Sequence, residues 1–247
     1  MQAEQADGHL RRLEAPGSVH AMDATLTGRR IIITSGPTRG PIDAVRYVSN
    51  RSSGRLGSRI AEEALRRGAA VVLVAGPGSR RPDPEELSEA ERGRLRILPV
   101  ETVDDLIGVL RGEMESNPPD AIVHAMAVLD YVPEAPDQTK TPSGRENWTI
   151  RLVRTPKVIG LIREWAPDAR LVQFKLEVGL PEDELRTAAL ESLRHNEADL
   201  VVANDLTRIR DEVHPALVLD ASGKVLARPG TKTEIAAALC DLLAVRV

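Results

Sequence analysis

The sequence predicts an α/β fold: a doubly wound, mostly parallel sheet with a flap and a small C-terminal β-hairpin. Three observations carry that expectation. The runs Arg30–Ser35 (RIIITS) and Ala70–Ala75 (AVVLVA) are apolar throughout, as strands buried on both faces of a parallel sheet are. A helical period separates them, and the strand–helix alternation then recurs along the chain. A Gly/Pro/Ser-rich loop, Gly36 to Ser52, follows the first strand, where such sheets keep their ligand loops.

Taken in order, residues 1–28 show no clean period and read as an N-terminal extension. Residues 29–247 read as a single Rossmann-like domain. After the first strand and its loop, a helix is predicted from about Ser53 to Arg67. Leu56, Ile60, Ala64 and Leu65 share one face, and Gly68 is a natural stop. Ala70–Ala75 completes a βαβ unit. Leu95–Val100 is the next strand. Thr102 with Asp105 makes a capping-box start for a helix carrying Leu106, Ile107, Leu110 and Met114. Asp120–Met126 follows as a strand. Tyr131 to Asn147 is polar and Pro-rich, a predicted flap, and Trp148–Val153 then reads as a strand. Arg170–Leu176 and Asp199–Ala203 are two more, with Pro181 opening the helix between them. Ala216–Asp220 and Lys224–Ala227 flank Ala-Ser-Gly and predict the hairpin. Thr231 and Glu234 form a second capping box for the final helix.

Composition removes several functions. The formal net charge is −4 and no Lys/Arg cluster is dense, so no nucleic-acid partner is expected. Aromatics at 2% leave no stacking platform for single strands. No apolar run approaches the ~20 residues of a membrane span, and no signal-like stretch opens the chain. The one cysteine, Cys240, excludes a disulfide framework, reads as a buried small apolar residue and points to a cytoplasmic location. Five scattered histidines without an H-x-x-x-H pair predict no metal site.

The residues just after each strand are the ones that carry chemistry in this fold class. Ser35-Gly36-Pro37-Thr38 offers small residues and hydroxyls, and Ser53-Gly54 opens a helix whose free N–H groups favour an anion. Together they read as a phosphate cradle or as turn and packing residues, with Arg46 and Asn50 on the loop between. Asp130 suits a ribose hydroxyl, a metal or a turn; His124 reads as a hydrogen-bonded core histidine. Phe174, the only phenylalanine, either stacks on a base or packs in the core. Lys175 is placed for a triphosphate. Ala203-Asn204-Asp205 either reads a base edge or makes an Asx turn. Lys140 is either a flap lysine that closes over phosphate or a solvated loop residue.

In this order, these pieces resemble the phosphopantothenoylcysteine synthetase (phosphopantothenate–cysteine ligase) family. The opening segment Thr34 to Gly57, TSGPTRGPIDAVRYVSNRSSGRLG, is similar to its long first signature. Ala125 to Tyr131, Phe174-Lys175-Leu176 and Ala198 to Leu206 (ADLVVANDL) follow in the family's order, so the likeness runs from about Arg30 onward. The short N-terminal stretch resembles the free-standing bacterial type, without a flavin decarboxylase half, so no flavin is implied. The resemblance implies ligation of 4′-phosphopantothenate to cysteine at the expense of CTP, or ATP, with Mg²⁺ on the nucleotide. An acyl-nucleotide forms first, and the amine of cysteine then displaces the nucleoside monophosphate. It implies that Asn50 holds the acyl intermediate, Arg46 the acidic substrate and Lys140 the flap contact. Asp130, Phe174 and Ala203-Asn204-Asp205 match its nucleotide pocket, and Gly36, Pro37 and Thr38 the loop near the phosphates. Family members are homodimers. Two departures stand out: a single lysine in the flap (Gln138-Thr139-Lys140-Thr141), and Gln173 where glycine commonly precedes the Phe. They leave open a relative acting on another acid or amine. A nicotinamide reductase is the rival from another class, but no G-x-G-x-x-G follows the first strand. A non-catalytic nucleotide-binding protein is the third reading.

Overall fold

The computed structural model describes residues 25–144 and 146–245, so most of the predicted extension lies outside them. Leu26 is fully buried and its N–H bonds to Arg67 O, so the packed domain already includes it.

The first strand, β1 (Arg30–Ser35), is followed by two short paired strands, β2 (Arg39–Pro41) and β3 (Tyr47–Ser49). Helix α1 (Arg55–Arg66) leads into β4 (Ala70–Ala75). Next come the one-turn α2 (Glu89–Gly93), β5 (Leu95–Pro99), α3 (Val103–Ser116) and β6 (Ala121–His124). A second small pair, β7 (Tyr131–Pro133) and β8 (Leu152–Arg154), brackets the polar segment. Then follow α4 (Val158–Trp165), β9 (Arg170–Glu177), α5 (Glu182–His195) and β10 (Leu200–Asp205). The hairpin β11 (Ala216–Asp220) and β12 (Val225–Ala227) precedes α6 (Lys232–Ala244).

The main sheet has eight strands in the order β5-β4-β1-β6-β9-β10-β11-β12. The first six are parallel and the hairpin extends the edge antiparallel. Strand order therefore reverses between β1 and β6. Alternation within each strand feeds two cores. Ile31 and Ile33 join Ile60, Leu65, Leu239 and Cys240 under α1 and α6. Ile32 joins Ile122, Leu106, Leu110, Ile162 and Leu193 under α3, α4 and α5. Strands β1, β4 and β10 are buried along nearly their whole length because helices cover both faces of the sheet there.

The predicted stops and starts have visible causes. Gly68, at φ +93°, donates its N–H to Leu65 O and ends the helix region after α1. Thr102 and Asp105 form the capping box of α3. At α6 only half of the predicted box forms: Thr231 accepts from Glu234 N, but Glu234 reaches one residue further back, to Gly230 N at 2.6 Å. Pro181 occupies the N-cap of α5 rather than its first helical position.

Several boundaries differ from expectation. The fourth core strand ends at His124, not Met126, because Ala127 N turns to Gly36 O (2.8 Å) and carries the chain across the end of β1. The strand expected at Trp148–Val153 is confined to Leu152–Arg154, and Trp148 instead stacks on Arg46, 4.4 Å from guanidinium carbon to ring centroid. The pair β2–β3 and helix α4 were not expected.

Candidate active site

At the switch between β1 and β6, a cleft of about 630 Å³ opens beyond the carboxyl ends of the strands. One wall is the start of α1, residues 53–57; another is the loop after β6; the floor comes from the ends of β9 and β10. No side chain caps α1. Gly54 stands at its N-cap with φ +69°, and its carbonyl takes the first helical bond from Ser58 N. The N–H groups of Arg55, Leu56 and Gly57 have no partner among the described residues, the usual condition of an anion-receiving helix end. Close packing makes this wall: a Cβ on Gly57 would lie 2.3 Å from Ser35 Oγ.

Of the expected cradle, Ser53 and Gly54 line the cleft, whereas Gly36, Pro37 and Thr38 lie behind it. Those three are buried and hold the β6 loop. Thr38 N donates to Ala127 O (3.3 Å), and Leu129 N donates to Thr38 Oγ1 (3.0 Å). Gly36 has φ +82°, and a Cβ there would fall 1.6 Å from Ser79 Oγ. The turn thus shapes the site without facing it.

Asn50 is exposed in the cleft wall. Its Nδ2 donates to Val128 O (3.0 Å) and Ala127 O (3.3 Å), which commits the amide N–H groups to the loop and leaves Oδ1 toward solvent as an acceptor. Asp130 lines the same wall, paired with Lys157 at 2.6 Å. Phe174, Lys175 and Asn204 come from the floor; Lys175 pairs with Glu177 at 2.9 Å. Asn204 is 5% exposed, and its Oδ1 has no hydrogen-bond partner. Ala203 is fully buried below the floor. Asp205 turns away from the cleft. It accepts from Gly179 N and Thr207 N, both 2.9 Å, and from Thr207 Oγ1, and these bonds hold its carboxyl below the usual range. That is the Asx turn, the structural alternative weighed for it.

Arg46 and Lys140 do not line the cleft. Arg46 binds Asp43 Oδ2 (2.6 Å) and Thr141 O (2.7 Å) and stacks on Trp148, so it ties the β2–β3 connection to the flap. Lys140 is exposed on that flap, one residue before the tie.

Other residues were missed by sequence reasoning or underweighted. Gln173, 2% exposed, joins the floor, with its Oε1 accepting from Asn196 Nδ2 (2.8 Å) and its Nε2 3.3 Å from Ser192 Oγ. His124 Nδ1 lies 2.9 Å from Thr34 Oγ1, as a core histidine would, while the ring also lines the cleft; burial lowers its pKa to about 4. His214 and Lys232, only 7% and 6% exposed, line the far corner. Lys157 was invisible because a lone lysine after Pro156 carries no pattern. Among the described residues no group of three or more His, Cys, Asp or Glu could hold a metal ion.

Residues 26–246 match the family described as the DNA/pantothenate metabolism flavoprotein C-terminal domain. The coenzyme A biosynthesis bifunctional protein CoaBC of Thermococcus kodakarensis is 36% identical over 218 residues, 88% of this chain and 51% of that protein. The Bacillus subtilis protein of the same name is 30% identical over 183 residues, 74% and 42%. The chain thus spans about half the length of the curated relatives it matches. The crystal structure of the DNA/pantothenate metabolism flavoprotein from Streptococcus pneumoniae has a TM-score of 0.75 at 33% identity, covering 85% of this chain and 96% of that one. The C-terminal domain of CoaBC gives 0.71 at 27%, covering 90% and 96%.

Proposed function

This chain belongs to the family of the DNA/pantothenate metabolism flavoprotein C-terminal domain, and from that premise we propose that it is a ligase joining 4′-phosphopantothenate to cysteine with a nucleoside triphosphate, CTP before ATP. Mg²⁺ is carried by the nucleotide, no flavin takes part, and the enzyme acts as a cytoplasmic homodimer. The observation that carries the reading is one cleft at the switch point that joins an uncapped helix N-terminus, an aromatic with a buried amide, and Asn50 between them.

Two displacements are needed. A carboxylate oxygen of the acid attacks the α-phosphorus, and pyrophosphate leaves with the cleaved P–O electron pair. The cysteine nitrogen then attacks the acyl carbon, the nucleoside monophosphate leaves, and the new amide nitrogen gives up a proton. Positioning and charge neutralisation supply most of such a rate. Phe174 and Asn204 suit the base, with the orphaned Asn204 Oδ1 as an acceptor for an exocyclic amine. Gly36, Pro37 and Thr38 act indirectly, by fixing the loop that carries Asp130. Asn50 meets the acyl group. To donate to its carbonyl, Nδ2 must leave one of the two loop carbonyls; as the chain stands, Oδ1 is ready to accept from the attacking amine. Arg46 acts through the flap, setting where Lys140 lies when it closes.

The test is direct. Purified protein is mixed with 4′-phosphopantothenate, cysteine, Mg²⁺ and either CTP or ATP; pyrophosphate is followed, and products are identified by mass spectrometry. Phosphopantothenoylcysteine with CTP is expected, and Asn50→Ala should lose at least 100-fold in turnover or stall at the acyl-cytidylate. Pyrophosphate release without that product would reassign the acid or the amine.

A further inference from the structure

The corner of the cleft beside α1 holds groups that the reading above leaves without a task. His214 is 7% exposed, and neither ring nitrogen has a hydrogen-bond partner. An imidazole buried that way leaves a donor and an acceptor unanswered, a cost that a ligand bonding to them would remove. Lys232 is 6% exposed, with its Nζ on Asp211 O. An ammonium has three donors, so two remain.

The backbone holds these groups together. His214 N donates to Gly230 O (2.7 Å), Lys232 N donates to Glu212 O (3.1 Å), and Val213 bridges Thr231. Arg55, the first residue of α1, reaches Asp211 at 3.4 Å, which sets this loop against the helix start with its three unpartnered N–H groups. The charged neighbours of the corner are Arg55, Asp211 and Glu212; the last two favour the Lys232 cation, while burial and Arg55 oppose it. Burial first, and Lys232 second, lower the His214 pKa to about 4, so its ring is neutral before a ligand arrives.

We propose that His214, Lys232 and the first turn of α1 form a phosphate subsite. Two ammonium donors, an imidazole N–H and helix N–H groups converge on one corner, and a tetrahedral oxyanion uses all of them. On the ligase reading, on which only the source depends, that phosphate belongs either to the phosphomonoester of the acid or to the nucleotide chain.

The binding test does not need turnover. The full chain, labelled with ¹⁵N-histidine, is titrated with inorganic phosphate and then pyrophosphate. The imidazole signals of His214, assigned by loss in His214→Gln, should shift saturably. Lys232→Met should weaken the affinity at least tenfold, and Lys232→Arg should restore part of it. Thermal melts check that the variants fold; if Lys232→Met does not, phosphate calorimetry on His214→Gln takes its place, with weaker binding expected. His214 signals unmoved by either anion, or an affinity indifferent to the available variant, would overturn the subsite. Kinetics with Lys232→Arg then give the source. A higher KM for the acid alone assigns the phosphomonoester, and a higher KM for the nucleotide alone assigns its phosphates. If the chain ligates nothing, the phosphate titration still decides the subsite.

Discussion

Gly36 shows how one residue governs the site from behind it. Its backbone is left-handed, and the space for a Cβ is filled by Ser79. Gly36→Ala should destabilise by about 3 kcal/mol, from strain plus overpacking, read as a lower urea midpoint with unchanged slope. His124 makes a prediction in pH. Burial holds its folded pKa near 4, below the ordinary 6.5. The unfolded chain therefore binds the extra proton between those values. Stability is full above pH 6.5 and falls as pH drops toward 4. Melting temperature followed from pH 7 to 4.5 should decline, and His124→Gln should decline less; equal slopes would show that the ring is protonated when folded. Cys240 is simpler. Burial pushes its thiol up to about 12, so a thiol reagent should label it only after unfolding. Both His124 and Cys240 were legible as core residues because each sits inside a clear periodic run. His214 and Lys232 were not: the first follows an irregular stretch, and the second hides behind a helix cap at Thr231.

Among elements, the flap is tied to the β2–β3 connection by a junction built around Asp43, beside the Asp137 N to Ile42 O bond (3.0 Å). Asp43 is buried and accepts from Val45 N, Arg46 N, Thr141 N and the Arg46 side chain. Burial opposes its ionisation, but these donors prevail and hold the carboxyl below the usual range. Its contribution is present above the ordinary carboxylate range and is lost on acidification. Arg46→Ala should free the flap without unfolding the sheet. Hydrogen exchange across residues 137–148 should rise at least tenfold while β1 and β9 stay protected, and KM for the acid should rise more than kcat falls. Uniform exchange would mean that the junction is not the flap's anchor. The long strands and helices were readable because two-sided burial and 3.6-residue periods leave strong marks. The pair β2–β3 was not: its strands are three residues each, and one contains Gly40-Pro41. Such strands exist through tertiary contact. A Cβ on Gly40 would meet Val48, Val132 and Pro133 at about 3 Å, which is where β2 lies against β7.

For the molecule as a whole, strand order decides where chemistry can occur, and that order follows from βαβ handedness and crossovers rather than from any single motif. The position of the cleft was therefore legible once the alternation of elements was, while its lining depended on loops that return from distant strands. The two small sheets, β2–β3 and β7–β8, have a different role. Among the described residues they carry Tyr47, Tyr131 and Leu152, each about half exposed, with Val45 on the β2–β3 connection at 59%. Their inward residues, Val48 and Val132, pack on the second core, while Tyr47 lies outside it under the Arg39 guanidinium, 4.0 Å from carbon to ring centroid. Exposed apolar groups on these two strand pairs suit contact with a second copy, the partner that the proposed homodimer requires. Light scattering at micromolar concentration should give twice the chain mass of 26.8 kDa. Tyr47→Glu with Leu152→Glu should give monomers whose far-ultraviolet spectrum is unchanged. A monomeric wild type would remove the homodimer. A dimer indifferent to both charges would move its interface to another face of the sheet.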